Sequence, residues 1–408
     1  MKNITIQERI YYVGVNDRKK HLFENNWPLP YGVSYNSYLI SDKKSALIDT
    51  IEYGSDPDYL DNIQCILGDR PLDYLVVNHV EPDHSGMINS VLNRFPSAMV
   101  IGNAQTYKML NKFYNLPENK FLEIKDGEVI DLGVYKLQFA LVPWVHWPET
   151  MVTYEQVTGT LFSCDAFGSF GTLDGSIFDG DNNFELHFLD EMRRYYSNIV
   201  GKYSNMVQKA LKKLSGIKIN MIAPSHGLIW RDNIGKVVEC YDNWSSYKSE
   251  KGVVIVYASM YGNTEKMADT IGRMLGEKGI LVRTFDVSKT HVSYLLSEIW
   301  KYKGFVLGTC AYNNEMHPMM EHLCNEIKLI APKDKVVSVF GSSGWNGAGV
   351  KSLTKNLEAQ GFELVGPKYE ICGNPTECNE ANCKCNSQLK SLENLNEMVD
   401  AIAKEINK

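Results

Sequence analysis

The sequence predicts an α/β protein of two domains, the second built on a doubly wound parallel sheet. Three observations predict it. The chain has 408 residues, more than one ordinary core supports. Its first 240 or so residues read as short strands with interspersed helices, whereas the remainder alternates strand and helix regularly. Between these regimes, residues 244–252 turn small and polar, which predicts domains over 1–250 and 251–408.

In the first domain, Ala46–Ile48, Leu75–Val77, Ala98–Ile101 and Met221–Ala223 are compact apolar runs bounded by polar or turn residues, and they predict strands. Helices are expected near 58–67, 104–114 and 189–214, and the glycine-rich stretch 168–182 reads as a long loop. In the second domain, Val253–Val256 has the composition of a buried parallel strand. The helix after it places Met267, Ile271, Met274 and Leu275 on one face and stops at Gly279. Strands follow at 281–285, 304–308, 335–340 and 362–372, with helices between them and from about 387 to 405. Strands alternating with helices in this way wind a parallel sheet.

Composition excludes several function classes. Hydrophobic content of 44% with 22% charged residues is that of a globular protein. A formal net charge of −7 argues against nucleic acid or an anionic membrane as the main partner. No apolar run approaches the roughly 18 residues of a membrane span, and the N-terminus lacks the apolar stretch of a secretory signal. Nine cysteines, an odd and scattered set, do not read as a disulfide framework, so a cytoplasmic protein is expected.

Chemistry concentrates in His79-Val80-Glu81-Pro82-Asp83-His84, which follows an apolar run and packs four N/O donors into six residues. A solvated acidic loop rarely combines imidazoles and carboxylates at this density. Three later apolar runs also end on donors: Phe139–Val145 on His146, Leu161–Cys164 on Asp165, and Met221–Ser225 on His226. Singly, His146 or His226 reads as a structural histidine and Asp165 as a cap. Together the seven are too many for one ion and suit a pair bridged by a carboxylate such as Asp165.

These residues resemble the metallo-β-lactamase-like fold, whose hydrolases carry a His-x-His-x-Asp-His signature, a later His, a bridging Asp and a final His. Here Glu81 replaces the second histidine, a harder anionic donor that favours iron or manganese over zinc. The wording from Asn78 to Gly86, with His146-Trp147-Pro148 and Pro224-Ser225-His226-Gly227, is similar to the flavodiiron proteins. That resemblance implies an N-terminal αββα sandwich. It implies that His79, Glu81 and His146 hold one iron, Asp83, His84 and His226 the other, and that Asp165 bridges. Members of that family differ in whether the histidine at the place of His84 points at the metal. Tyr195 or Tyr196 could hydrogen-bond to a ligand, though packing is the expected role of both.

In the second domain, Ser259-Met260-Tyr261-Gly262-Asn263-Thr264 joins a strand to a helix and offers hydroxyl and backbone donors at the helix N-terminus, a phosphate cradle without a lysine. Neither a Gly-Lys-Ser/Thr nor a Gly-x-Gly-x-x-Gly signature is present, which excludes the triphosphate loop and weakens a dinucleotide reading. The segment resembles the phosphate loop of flavodoxins. Two more loops leave the carboxyl ends of parallel strands: Thr309-Cys310-Ala311-Tyr312-Asn313-Asn314, and Gly341-Ser342-Ser343-Gly344-Trp345-Asn346-Gly347. Trp345 is placed to stack on an isoalloxazine ring, and the glycine-rich backbone to bond its polar edge. The cofactor implied is FMN. Cys372, Cys378, Cys383 and Cys385 lack the paired C-x-x-C elements of rubredoxin, so they are expected to be ordinary thiols and electrons to come from a separate donor.

By resemblance the activity is reduction of dioxygen to water, of nitric oxide to nitrous oxide, or both, with electrons passing from rubredoxin or a similar protein through FMN to the two irons. The resemblance also implies a head-to-tail homodimer, or a dimer of such dimers, because the two motifs lie in different domains. Two rivals are weaker. A metal-hydroxide hydrolase is opposed by Glu81, and a simple electron carrier by the seven placed donors.

Overall fold

Short apolar runs at the N-terminal end of the chain pair into two sheets, and the functional residues cluster where strands of both sheets end. The structure, a computed structural model, describes residues 4–372 and 386–408. It divides into two units, Met1–Ser246 and Tyr247–Lys408. Among the described residues, no helix is long and apolar enough to cross a membrane.

In the first unit, one sheet runs in the order Ile4–Gln7, Ile10–Tyr12, Tyr38–Ser41, Ser45–Ile48, Tyr74–Val76, Met99–Gly102, Phe121–Glu123. Its early strands are antiparallel and its last four run parallel. The other sheet orders Val129–Asp131, Lys136–Leu141, Met151–Glu155, Thr160–Cys164 and Met221–Pro224, and only its last pair is parallel. Leu39, Leu47, Leu75, Leu137, Phe139, Phe162 and Ile222 are buried. Tyr38 and Phe162, from different sheets, meet at a ring separation of 5.2 Å.

Asp42 staples the two sheets. It lies in the turn after Tyr38–Ser41, and its Oδ2 accepts from the backbone N–H of Val134 and of Tyr135, at 2.5 and 2.9 Å, in a turn of the second sheet. Burial alone would raise its carboxyl, but the backbone donors and the Arg9 charge outweigh this and hold it below the ordinary value of 3.8. The stability it contributes is therefore full above about pH 4 and is lost as pH falls below it. Asp42→Ala should cost about 3 kcal/mol at neutral pH. In urea titrations the gap between wild type and variant should close on acidification; a gap independent of pH would refute the assignment.

The segment expected as one helix over 189–214 is instead broken. An α-helix at Leu189–Tyr195 passes through a π-turn at Tyr196–Val200 and a 3-10 turn at Gly201–Tyr203 into a helix at Ser204–Leu214. The β-branched pair Ile199-Val200 followed by Gly201 is the poorest helix-forming stretch of the segment. A helix absent from the sequence reading, Ile234–Ser245, occupies the stretch before the boundary.

The second unit is a parallel sheet in the order Val282–Asp286, Glu250–Ala258, Tyr302–Tyr312, Val336–Ser343, Tyr369–Cys372. This is the 2-1-3-4-5 order of flavodoxin-like sheets. The helix Asn263–Glu277 buries Met267, Ala268, Ile271 and Leu275 against it, each large apolar side chain stabilising by about 1.5–3 kcal/mol. Two strands run further than expected. Asn313 and Asn314 have φ of +48° and +63°, the conformation of a tight two-residue hairpin turn, so Tyr302–Tyr312 continues until it can pair with Glu315–Met316. Val336–Ser343 likewise takes in Gly341 and Ser342. The expected strand over 362–372 is shortened to Tyr369–Cys372, because Pro367 has no N–H to donate and Gly366 turns at φ +72°.

Candidate functional site

Each of the seven predicted donors sits just beyond a strand end, and backbone locking turns all of them to one seam. Asn78 is held from both sides. Its N and Nδ2 donate to Asp49 at 2.7 and 2.9 Å, while Thr153 Oγ1 donates to its Oδ1 at 2.7 Å. His79 is thereby delivered between the sheets. Pro82–Ser85 form a single helical turn, with the Ser85 hydroxyl donating to Val80 O at 2.6 Å, which separates Asp83 and His84 from Glu81. Asp165 follows Cys164, a non-glycine residue at φ +54° whose conformation costs on the order of 1–3 kcal/mol. After His226, a Cβ on Gly227 would lie 2.1 Å from Ser169 Oγ, so only glycine fits there.

The side chains fall into two groups. His79, Glu81, His146 and Asp165 form one, and Asp83, His84 and His226 the other, with all seven buried. In the first, Glu81 Oε2 lies 3.3 Å from His79 Nε2 and 3.1 Å from His146 Nε2, and Asp165 Oδ2 lies 3.4 Å from each imidazole. In the second, Asp83 is 3.4 Å from His84 Nε2 and 3.3 Å from His226 Nε2. Asp165 Oδ1 faces this group, 2.9 Å from His84 Nε2 and 3.4 Å from His226 Nε2. Asp165 thus turns one oxygen to each group.

The donor set fits two metal ions. Donors about 2.1 Å from a common ion stand about 3.0–3.4 Å apart, the spacing found in both groups. Both oxygens of Asp83, Asp165 Oδ2, His146 Nε2 and His226 Nε2 are buried without a hydrogen-bond partner, although such atoms are costly to leave unpaired. His84 Nε2 is within hydrogen-bond distance of Asp165 Oδ1, and His79 Nε2 likewise of Glu81 Oε2.

Electrostatics agree. Burial would lower each imidazole, yet Asp165 and Glu81 raise His146 to about 9, and Asp165 and Asp83 raise His226 to about 10. Burial would raise Asp165, but His84, His146 and His226 hold it well below the carboxylate range. Three buried carboxylates converging here demand positive charge.

Residues that the sequence reading passed over hold this set in place. His79 Nδ1 is 2.7 Å from Glu149 Oε1, and His226 Nδ1 is 2.7 Å from the Ser34 carbonyl, so in both rings Nε2 is left to face the seam. Burial would raise Glu149, but His79 and the Val80 N–H outweigh it and keep the carboxyl below its ordinary value. Tyr195, expected to pack, also donates its hydroxyl to Asp165 Oδ1 at 2.8 Å. The Tyr196 hydroxyl instead pairs with Ser204 Oγ. Phe23, Phe170 and Tyr195 form an aromatic wall on His226.

In the second unit, all three predicted loops leave the carboxyl edge of the parallel sheet. Gly262, at φ +87°, starts the helix Asn263–Glu277, and its N–H donates to Ser259 Oγ at 3.1 Å. Thr264 Oγ1 pairs with Ser342 Oγ at 2.9 Å, tying the first loop to the third. Asn346 Nδ2 donates to Asn314 Oδ1 at 2.9 Å, tying the third to the second. Tyr261 and Trp345 are 90% and 76% exposed, large apolar faces available to a planar ligand. Nothing lies within 4 Å of a Cβ built on Gly344. Donors at a helix start, hydroxyls on both sides and flat exposed rings fit FMN. Cys372 is exposed and free, while Cys378, Cys383 and Cys385 lie outside the described residues.

Known proteins share both halves. The model of the ODP family beta lactamase matches residues 33–227, and that of flavodoxin matches 255–384. The anaerobic nitric oxide reductase flavorubredoxin of Escherichia coli is 33% identical over 368 residues, 89% of this chain and 76% of that protein. Rubredoxin oxygen:oxidoreductase from the anaerobe Desulfovibrio gigas superposes with a TM-score of 0.91 at 27% identity, over 100% of this chain and 99% of that one. A flavoprotein from Thermotoga maritima does so at 0.88 and 29% identity, over 99% and 98% of the two chains.

Proposed function

The chain belongs to the flavodiiron protein family, and on that premise we propose that it is the oxidoreductase that reduces dioxygen to water, nitric oxide to nitrous oxide, or both. The observation that carries this reading is Asp165, whose two oxygens face two separate buried donor groups. His79, Glu81 and His146 are assigned to one iron, Asp83, His226 and His84 to the other, with Asp165 bridging. His84 makes the shortest of the contacts within this set, its Nε2 lying 2.9 Å from Asp165 Oδ1. Ser259–Thr264, with Thr309, Ala311–Asn314 and Ser342–Gly347, is assigned to FMN.

When bound, FMN supplies electron exchange with a donor protein and the two irons a redox-active place for a diatomic molecule. The chain does the rest. Asp165 fixes the separation of the two groups, and the Tyr195 hydroxyl holds its Oδ1. The Nδ1 contacts of His79 and His226 keep each Nε2 turned inward. Phe23 and Phe170 exclude water from the side of His226.

Rubredoxin or a similar small redox protein is the proposed donor, and the cytoplasm the proposed compartment. A head-to-tail homodimer is proposed because the two sites lie in separate units and electrons have to pass between them. The test is anaerobic reduction of the purified protein, followed by separate stopped-flow mixing with O₂ and with NO. Rapid reoxidation by at least one gas is expected; slow reoxidation by both would leave only an electron carrier.

A further inference from the structure

Glu149 is a buried carboxylate outside both the donor set and the flavin site. It is 1% exposed. Its Oε1 lies 2.7 Å from His79 Nδ1 and accepts from the Val80 N–H at 2.9 Å, so one oxygen clamps both the ring of His79 and the backbone leading to Glu81. Glu149 is itself anchored: its backbone carbonyl accepts from Asn103 Nδ2 at 2.6 Å, and Asn103 caps the helix Ala104–Phe113. Trp147 closes the other side, edge-on to His79 at 5.0 Å. The ring of His79 therefore has one available orientation.

The matching position on the other group is different in kind. His226 Nδ1 donates to the Ser34 carbonyl, a neutral acceptor. His79 leans on an anion. A carboxylate behind an imidazole raises its basicity as a ligand, and a neutral carbonyl does so far less.

We propose that Glu149 is a positioning residue that makes the two irons unequal: it fixes His79 as the Nδ1–H tautomer and, through its charge, lowers the reduction potential of the iron His79 holds relative to its neighbour. The proposal rests on the reading that His79 binds iron. Its consequence is an order of electron uptake, with the iron on the side of His226 reduced first.

The experiment compares Glu149→Gln, Glu149→Asp and wild-type holoprotein by iron analysis, redox titration and Mössbauer spectroscopy, which reports the two irons separately. Gln keeps an oxygen for His79 and Val80 but removes the charge. Glu149→Gln should shift one iron by a factor of about ten or more in its reduction equilibrium, about 59 mV upward, and leave the other in place. Glu149→Asp should restore the wild-type separation. Iron lost to chelator about 10–100-fold more readily from Gln, with recovery in Asp, supports the proposal equally. Unchanged potentials in Glu149→Gln would overturn it, as would loss of iron from both variants with a lowered melting temperature, which makes Glu149 a folding residue. A wild-type protein without iron would instead defeat the functional reading itself.

Discussion

Asp165→Ala is expected to empty the metal centre while FMN stays bound. Asp165 is the one carboxylate shared by both groups, 3.4 Å from His79 and His146 through Oδ2, and 2.9 and 3.4 Å from His84 and His226 through Oδ1. Removing it takes an anionic donor from each iron at once, so iron should fall from about two per chain towards none. The loss is also structural. The Tyr195 hydroxyl keeps no acceptor, which costs about 1–3 kcal/mol. His146 and His226 each lose one of the two carboxylates that raise them, Glu81 and Asp83 remaining, so their values should fall part of the way towards the ordinary imidazole value. The flavin loops belong to the other unit, and flavin absorbance should be unchanged. Turnover with O₂ and NO should drop to background. A variant that keeps its iron and reacts at the wild-type rate would defeat the bridging assignment.

The seven donors could be read because His79, His146, Asp165 and His226 each follow an apolar run and Glu81, Asp83 and His84 crowd in directly behind His79, and a strand end at the seam between two sheets has little freedom in where it points. What could not be read is what holds them. Glu149 reaches His79 across 70 positions of sequence, and Ser34 reaches His226 across 192, so no local spacing announces either contact. Tyr195 shows a subtler limit. Packing was the right expectation for its ring, which lies against Phe23 and Phe170, but the hydroxyl at the far end of the same ring bonds Asp165. Strands of two or three residues, such as Leu22–Phe23 and Val33–Tyr35, are too short to show alternation, and the opening hairpins were missed for that reason. In the flavin unit the order of elements was legible, but not the turn at Asn313-Asn314 that carries Thr309–Tyr312 into the sheet.

The double variant Ser259→Ala, Thr264→Val is expected to lose FMN and keep iron, the converse of Asp165→Ala. A phosphate at the start of the helix Asn263–Glu277 has no lysine in the loop to neutralise it, so hydroxyl and backbone donors and the helix N-terminus have to supply the attraction. Hydrogen bonds to a charged group contribute about 1.5–3 kcal/mol each, so losing two should weaken FMN binding by about a hundredfold to ten-thousandfold. Thr264 acts twice, because its hydroxyl also meets Ser342 and sets the third loop under which a ring would stack on Trp345. Thr264→Ser keeps the hydroxyl, and with it both roles, and should retain most of the affinity. The strand and helix framework should survive the double change, since the buried contacts of Met267, Ile271 and Leu275 are untouched. Flavin content after gel filtration and titration of the apoprotein with FMN measure the effect. If the double variant binds FMN as tightly as wild type, the phosphate is held elsewhere and the cradle is wrongly placed.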